Sequence, residues 1–303
     1  MSPLDPYSQA SGTMKNLLGI DDAGELVVAE RRLTTLRALE LRDGTAPITT
    51  RGEFDADHLR AIHQHLFQDV FEWAGTTRGD PLILEGQSFQ QPPTLIKGMT
   101  EFGAPGRVNA ELDRLFSQLG QDDHLRNLSR EAFSDRAADL FGQLNQIHAF
   151  REGNGRTQRE FMTQLGERAG HAIQFQAVTQ QRMTLASFDA SQGDPSTMRR
   201  LFAEITDPDR ARFLERGLET LQARYGDQVD RLYLTTATPG REYAGQLHLK
   251  AGEHVILRGS EEIVVGQSRD LPRGVQPGAH VEMKASSFPT LVQEQQQQQG
   301  LEM

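Results

Sequence analysis

The feature that most constrains the fold is a regular helical pattern that leads directly into a glycine-rich turn. The apolar side chains recur at steps of four, three, four and three residues, at Phe133, Ala137, Leu140, Leu144 and Ile147. This spacing places them on one face of an α-helix, and Ser129 stands where an N-cap residue belongs. The helix is therefore predicted to run directly into His148.

The turn after this helix has the composition of an anion-binding site. Residues 148–159 read HAFREGNGRTQR. Glycine at 153 and 155 permits positive φ and a close approach of the backbone to a ligand. If Gly155 opens the next helix, the free N–H groups of its first turn attract phosphate. Arg156 and Arg159 share one face of that helix, so they suit successive phosphates of a polyphosphate.

Two further side chains complete a site for phosphoryl or nucleotidyl transfer. The Glu152 carboxylate, beside phosphates, predicts a bridging Mg²⁺ ion, and the His148 imidazole suits a general base that takes a proton from a hydroxyl. No Walker A pattern is present. The structural alternative is a helix C-cap followed by a tight turn, with a histidine that only ends a helix.

The rest of the first 225 residues is predicted to be mainly helical. Helices are expected over Leu26–Leu41, from the Asp55 cap to Gly75, from near Pro93, over Arg107–Leu119, and over Gly155–Arg168 before Gly170. Two or three more extend to about Ala223. Between them, residues 76–93 break the pattern, and a short apolar run followed by Glu85-Gly86 indicates a small hairpin.

Length and composition predict two domains and a tail. A chain of 303 residues is too long for one ordinary core. After residue 230, short alternating runs separated by Gly, Pro and Ser indicate strands, in RLYLTTAT, GQLHLKAG, EHVILRGS and EEIVVGQS. The predicted organisation is a loose arm (1–24), a helical domain (25–225), a small β domain (231–290) and a disordered glutamine-rich tail (291–303).

Charge and hydropathy exclude several classes of function. The formal net charge of −10 argues against nucleic-acid binding as the main role, because that needs an excess of Lys and Arg. No apolar run approaches the ~18 residues of a membrane span, and no signal-peptide pattern stands at the start. The chain has no cysteine, so disulfides and thiolate metal sites are absent.

The segment 148–159 resembles the signature of the Fic family, HxFx[DE]GNGRxxR. Each defined position of that signature is matched here, by His148, Phe150, Glu152, Gly153, Asn154, Gly155, Arg156 and Arg159. LFQDVFEWAGTTR, residues 66–78, resembles the segment before the Fic flap hairpin. The β-rich part resembles the OB-fold domain that follows Fic in type IV-secreted effectors of Bartonella type and in related conjugation-borne toxins.

The resemblance implies a mainly α fold and an AMP transferase. It implies a Fic helical domain with a small β-hairpin flap, followed by a small OB-like β-barrel. ATP would be the substrate, Mg²⁺ the cofactor and a protein hydroxyl the acceptor. His148 would be the general base, Phe150 a structural anchor and Glu152 the metal ligand. The phosphates would be bound by Gly153, Asn154, Gly155, Arg156 and Arg159.

The resemblance also raises the question of restraint. Many Fic enzymes are silenced by an inhibitory helix with the pattern [ST]xxxE[GN], whose glutamate pairs with the second arginine. Only Glu85 and Glu152 precede a glycine here and no glutamate precedes an asparagine. Positions 81 and 148 are Pro and His, so neither fits. The resemblance therefore implies either restraint by a separate small antitoxin or no restraint at all. The expected location of the protein is the bacterial cytoplasm, with translocation into a host or recipient cell if it is an effector.

The hairpin is expected to dock the target protein. We predict that residues 78–89 form a flap over the site and capture the target as an added strand, because a lone hairpin has unpaired edges. The residues assigned to this role are Arg78, Leu82, Ile83, Leu84 and Phe89. An ordinary surface loop is the alternative.

Two other functions compete with AMP transfer to a protein. The first is another transfer on the same scaffold, of a γ-phosphate or of phosphocholine. The second is a non-catalytic adaptor that binds through the OB-like domain. The intact signature favours catalysis and AMP transfer.

Overall fold

The computed structural model describes residues 5–97, 100–260 and 262–290, and within them the chain divides into two compact units. One unit takes the described residues up to Leu128 together with Asp139–His171, and the other takes Ser129–Ala138 and the described residues from Ala172 onward. The predicted glutamine-rich tail lies outside the described residues. No helix of the described residues is long and apolar enough to cross a membrane.

Helices dominate the chain up to Tyr225, and strands dominate after it. The α-helices are α1 (Ala23–Asp43), α2 (Ala56–Phe67), α3 (Pro105–Gln121), α4 (Arg130–Ile147), α5 (Asn154–Ala169), α6 (Gln180–Ser191), α7 (Ser196–Ile205) and α8 (Pro208–Tyr225). The strands are β1 (Leu82–Leu84), β2 (Gln87–Phe89), β3 (Leu95–Lys97), β4 (Thr100–Phe102), β5 (Leu234–Thr236), β6 (Glu242–Ala251), β7 (His254–Arg258), β8 (Ile263–Gln267) and β9 (His280–Lys284). The predicted mainly helical fold with a small C-terminal β domain is confirmed.

Three of the residues predicted to begin or end helices do cap helices in the structure. The Asp55 side chain accepts a hydrogen bond from the His58 N–H (2.8 Å) at the start of α2, and the Ser129 hydroxyl accepts one from the Ala132 N–H (3.3 Å) at the start of α4. Gly170 ends α5 with φ 82°. These local contacts satisfy backbone groups that a helix end leaves free.

Two helix predictions are wrong. The helix predicted to reach Gly75 ends at Phe67; Val70 and Trp73 are buried as predicted, but they lie in consecutive turns. Periodicity reports which side chains are buried and not whether the backbone stays helical. The helix predicted near Pro93 is instead a second hairpin, β3 with β4, since three residues of alternation are too short to register as a strand.

The first hairpin has the predicted position and turn. Strands β1 and β2 pair antiparallel, with Leu84 opposite Gln87. Both turn residues, Glu85 (φ 51°) and Gly86 (φ 73°), have positive φ, as a two-residue turn of type I′ requires. The predicted small hairpin in the helical part is therefore confirmed.

Part of the predicted loose arm, whose described residues are 5–24, packs against the rest of the first unit. Tyr7 is fully buried and meets Trp73 edge to face, with the ring centroids 5.2 Å apart. Asp5 forms an ion pair with Arg151 (2.6 Å). The prediction was wrong because a composition rich in Ser, Pro and Gly does not reveal that one aromatic side chain meets a buried partner.

The second unit contains a five-stranded sheet in the order β5-β8-β7-β6-β9. Strand β5 is parallel to β8, and the other pairs are antiparallel. The four predicted strands are present, and β9 was missed. Helix α8 packs closely on β8, because a Cβ at Gly217 would lie 2.6 Å from Val265. Closure of the sheet into an OB-like barrel remains a prediction.

Candidate active site

The glycine-rich turn is shaped so that only glycine fits at its centre. Gly153 has φ 83° and is the N-cap of α5. A Cβ at this position would lie 2.3 Å from the ring of Phe67, so both the backbone conformation and the space exclude a side chain. The loop therefore passes directly over Phe67 before α5 begins.

The start of α5 leaves free N–H groups. Thr157 is the first residue of α5 to donate along the helix, to the Gly153 carbonyl (3.1 Å). The N–H groups of Asn154, Gly155 and Arg156 precede it and have no side-chain cap from any residue that the structure describes. Gly155 is exposed. Such a helix start attracts anions through its N–H groups and its dipole.

The Asn154 side chain clamps the loop and does not face a ligand. Its Oδ1 accepts from the Phe150 N–H (2.9 Å), and its Nδ2 donates to the Phe150 carbonyl (2.7 Å). This pair of bonds closes the loop on itself. Asn154 can contribute to the predicted phosphate site only through its backbone N–H.

His148 has an unusual backbone and one unsatisfied nitrogen. Its φ is 49°, and its side chain is buried, with 7% of the residue exposed. Nδ1 lies 3.3 Å from the Asn145 carbonyl, which assigns the proton to Nδ1. Among the described residues, Nε2 has no hydrogen-bond partner. In the neutral ring, the buried Nε2 therefore carries a free lone pair, which a general base requires.

Phe102 of the second hairpin covers the His148 ring. The two rings stack with centroids 3.7 Å apart and planes inclined by 23°. Burial lowers the pKa of His148 to about 3, and the positive charge of Lys97 acts in the same direction. The imidazole is therefore neutral at neutral pH and available to accept a proton.

Glu152 holds a cation in this structure, the ammonium of Lys97. The Lys97 Nζ lies 2.7 Å from Glu152 Oε2, and Oε1 accepts from the Gly153 N–H (3.1 Å). Burial opposes ionisation of the carboxyl, but Lys97 and these hydrogen bonds outweigh it and hold the pKa below its usual value. An ionised carboxylate with a bound cation next to a helix start fits a Mg²⁺ that also takes phosphate oxygens. The described residues contain no cluster of three His, Cys, Asp or Glu side chains for a metal held by protein alone.

The two arginines of the turn differ in their partners. Arg156 forms an ion pair with Glu30 of α1, donates to the Thr34 hydroxyl (3.0 Å) and lies over the Phe67 ring, 4.7 Å from its centroid. Within the described residues, Arg159 has no hydrogen bond or ion pair. Burial, followed by the charge of Arg156, lowers the pKa of Arg159. An uncompensated guanidinium beside a helix start favours an anionic ligand.

Phe150 is placed under the loop by a buried histidine. It is 1% exposed and stacks on His63, with centroids 3.8 Å apart and planes 14° apart. His63 Nδ1 accepts from the Gly75 N–H (2.8 Å), so Nε2 carries the proton and donates to the Glu152 carbonyl (3.0 Å). His63 thereby fixes the position of the Glu152 backbone.

The residues assigned to the docking flap occupy different environments. Leu82 and Leu84 are buried, Ile83 is 59% exposed and Phe89 is half-buried. The assignment of Arg78 to target contact is wrong, because the residue is 2% exposed and donates to backbone carbonyls around His148. The docking role of the strands themselves stays a prediction.

Sequence reasoning missed five residues that contact the site, namely Glu30, His63, Lys97, Phe102 and, in its observed role, Arg78. Each comes from an element outside residues 148–159, and no local pattern marks it. The second hairpin carries Lys97 and Phe102, so the wrong prediction of a helix near Pro93 concealed both.

The fold and the site together combine features that suit nucleotide chemistry. A helix ends in a buried histidine, and a glycine turn leads into a second helix that carries free N–H groups and arginines. A single carboxylate that can hold a cation stands between them. Together these groups can bind the phosphates of a nucleotide and accept a proton from a hydroxyl.

Comparison with known proteins places the chain in a particular family. The sequence pattern of the Fic/DOC family matches residues 53–165. A protein adenylyltransferase of Bartonella henselae is 34% identical over 263 residues, which cover 86% of this chain and 47% of that protein. This chain thus spans about half the length of that relative.

Solved structures agree with this assignment. The type IV secretion system effector protein BepA superposes with a TM-score of 0.83 at 30% identity, over 94% of this chain and 97% of that one. A Fic domain from Bartonella quintana with bound ADP gives a TM-score of 0.62 at 39% identity, over 67% of this chain and 94% of that one. The chain belongs to the Fic/DOC family.

Proposed function

We propose that this chain is a protein adenylyltransferase, which transfers AMP from ATP to a hydroxyl of a target protein. The observation that carries the proposal is the Nε2 of His148, which has no hydrogen-bond partner within the described part of the chain. This neutral base lies in the same loop as the free N–H groups that open α5. A relative of this chain is named a protein adenylyltransferase, and a similar Fic domain is described with bound ADP.

The transfer needs one proton acceptor and one phosphate cradle. His148 Nε2 removes the proton of a Ser, Thr or Tyr hydroxyl, and that oxygen bonds to the α-phosphorus of ATP. The bond from the α-phosphorus to the α,β-bridging oxygen breaks, and pyrophosphate leaves. Orientation of the phosphates decides whether the hydroxyl lies opposite the leaving group.

The chain's own residues divide this work. The N–H groups of Gly155 and Arg156 and the Arg159 guanidinium bind and orient the phosphates. Glu152 would hold Mg²⁺ in place of Lys97, and the bound ion would neutralise charge on the phosphate oxygens. Phe102 covers the base and excludes water from it.

The target is proposed to add a strand to a hairpin. The sequence prediction assigns this role to β1 and β2, whose Ile83 is exposed. The second hairpin, β3 with β4, is a competing edge because Lys97 and Phe102 contact Glu152 and His148. Main-chain hydrogen bonds at either edge would fix the register of the target with little demand on its sequence.

The partner and the setting of the activity follow from the missing inhibitory pattern. We propose that a separate small antitoxin restrains this chain in the bacterial cell that makes it, before any translocation into a host or recipient cell. The similarity to a type IV secretion effector supports such a route.

Labelled ATP tests the proposed reaction. The purified chain is incubated with a lysate, Mg²⁺ and ATP labelled at the α- or the γ-phosphate. AMP transfer predicts that protein is labelled from the α-labelled ATP alone. Labelling from the γ-labelled ATP would indicate phosphate transfer. If neither ATP labels protein, the chain would be a binding protein.

His148→Ala should reduce α labelling by ~10²–10⁴-fold, as loss of a general base does, while ATP binding is retained. His280→Ala, at an exposed histidine of β9, is the matched control and should label as the unsubstituted chain does. Substantial labelling by His148→Ala would refute the assignment of the base.

A further inference from the structure

Arg78 lies buried beside the catalytic loop and grips it through several bonds. Its Nε donates to the His148 carbonyl (2.9 Å) and its Nη2 to the Ile147 carbonyl (3.0 Å). Its backbone N–H donates to the Ala149 carbonyl (2.7 Å). One residue therefore holds three consecutive carbonyls, centred on the proposed base.

The same side chain joins this loop to the second hairpin. The remaining terminal nitrogen, Nη1, donates to the carbonyl of Gly103 (2.9 Å). Gly103 directly follows β4, which carries Phe102 against the His148 ring. The backbone of the base and the residue that covers it are thus tied to one guanidinium.

A buried charge without a counter-charge is costly, so these contacts need a reason. Arg78 is 2% exposed, and among the described residues no carboxylate contacts its guanidinium. Buried charged groups are stable only where hydrogen bonds replace the lost water. The carbonyls at the end of α4 lack helical donors and carry the negative end of the helix dipole, so they suit a cation.

The backbone of His148 shows what this grip achieves. Its φ of 49° lies in the left-handed region, which residues other than glycine rarely occupy. Such a conformation persists only where contacts with neighbouring residues hold the backbone in it. It also points the side chain in a direction that a regular helix end would not. The bonds from Arg78 to residues 147 to 149 supply that determination.

We propose that Arg78 is a positioning residue for AMP transfer, which holds His148 in its left-handed conformation so that Nε2 faces the incoming hydroxyl. The inference rests on the proposed function for its kinetic consequence, though not for its structural one. Lysine cannot replace arginine here, because an ammonium is a point donor and lacks the planar fork that reaches two directions at once.

The test uses Arg78→Lys in the full chain, with two readouts. The first is the ¹⁵N chemical shift of the His148 ring nitrogens, assigned with His148→Ala, which reports the tautomer and hydrogen bonding of the base. The second is the kcat and KM for ATP of lysate labelling from α-labelled ATP. We expect altered His148 shifts, a kcat at least tenfold lower and a KM for ATP within twofold.

A destabilised control separates positioning from mere stability. Leu112→Ala removes a fully buried side chain of α3 and should lower the midpoint temperature of unfolding. The His148 chemical shifts should stay unchanged, and kcat should stay within twofold of the unsubstituted chain. The positioning role would be overturned if Arg78→Lys kept the His148 shifts and kcat of the unsubstituted chain. It would also be overturned if Leu112→Ala, with the same unfolding midpoint as Arg78→Lys, showed the same loss of kcat.

The remaining outcomes are also decisive. If Arg78→Lys does not fold, Arg78→Gln, which keeps an amide donor without charge, is measured in the same way. Unfolding of both where Leu112→Ala is folded would leave Arg78 a purely structural residue and overturn the proposal. If the unsubstituted chain labels no protein, the proposed function fails, while the His148 shifts still decide whether Arg78 positions the ring.

Discussion

At the scale of single residues, the two arginines of the turn have separate roles because their surroundings differ. Arg156 is engaged by Glu30 and Thr34 of α1. Arg159 has no such partner within the described residues, and burial and the charge of Arg156 lower its pKa. A phosphate therefore gains most from Arg159, whereas at Arg156 it must first displace a carboxylate.

Replacement of Arg159 by alanine should weaken ATP binding. Loss of one charge-assisted pair costs about 1.5–3 kcal/mol, which corresponds to roughly a 10- to 150-fold rise in the dissociation constant for ATP. Titration with a fluorescent ATP analogue measures it. Arg168→Ala, near the end of the same helix, is the control; if both variants bound within twofold of the unsubstituted chain, Arg159 would not be a phosphate ligand.

His63 couples the stability of the first unit to pH. Burial lowers its pKa to about 3, whereas an unfolded histidine titrates near 6.5. Between these values the unfolded chain binds the extra proton and the folded chain does not. The free energy of unfolding therefore should be highest above about pH 6.5 and should fall as the pH drops from there towards 3.

Replacement by glutamine isolates this contribution. His63→Gln retains a donor and an acceptor but does not titrate, so the slope of unfolding free energy against pH between 6.5 and 4 should become shallower. Fluorescence of Trp73, the single tryptophan of the chain, follows the unfolding, because its ring lies 5.8 Å from that of His63. His280→Gln, at an exposed position, should leave the slope unchanged; an unchanged slope in His63→Gln would contradict the assignment.

At the scale of elements, the two hairpins have similar construction and different contacts. In the first, Ile83 lies opposite Ser88, next to the pair that closes the turn; in the second, Ile96 lies opposite Glu101 in the same relation. In an antiparallel hairpin, hydrogen-bonded and non-hydrogen-bonded pairs alternate from the pair that closes the turn. The next pair is not hydrogen-bonded, so its N–H and C=O groups point away from the partner strand. Each hairpin therefore presents an outward donor, at Ile83 or Ile96.

Proline at these two positions identifies the edge that receives the target. Both isoleucines are exposed, at 59% and 63%, and proline removes the outward N–H without vacating the core. If the first hairpin docks the target, Ile83→Pro should abolish lysate labelling while Ile96→Pro retains it, with ATP binding preserved in both. The reverse result would transfer the docking role to the second hairpin, and wild-type labelling by both would exclude strand addition.

At the scale of the whole molecule, the chain combines a helical unit that contains the site with a unit that contains the five-stranded sheet. All contacts of His148, Glu152 and Arg159 described above come from the first unit. The inhibitory pattern is missing from the sequence, yet Glu30 of α1 engages Arg156. Restraint by a separate partner and restraint by the chain itself therefore predict different behaviour.

Restraint in trans predicts that the chain alone is active. Expression in a bacterium that contains the target and no antitoxin should slow growth, whereas His148→Ala should not. Growth curves and α labelling of the purified protein measure this. If the purified chain were inactive and Glu30→Ala restored labelling, the restraint would lie in α1, and the proposal of a separate antitoxin would be wrong.

The sequence alone determined the parts of this protein that depend on neighbouring residues. The turn at 148–159 is contiguous in the chain, so its glycines, the position of His148 and the start of α5 follow from local order. Caps such as Asp55 and the periodicity of α4 are likewise local, because helical bonds join residues four apart. The first hairpin was predictable from one turn, Glu85-Gly86, for the same reason.

Only the tertiary structure decided which distant segments meet the site. Arg78 resembles a surface arginine in sequence, yet it is buried against residues about 70 positions away. Lys97 and Phe102 stand on strands too short to show a period, and their partners lie some 50 residues further on. Burial and charge pairing depend on the path of the whole chain, because each such contact is made between elements and leaves no repeat within either one.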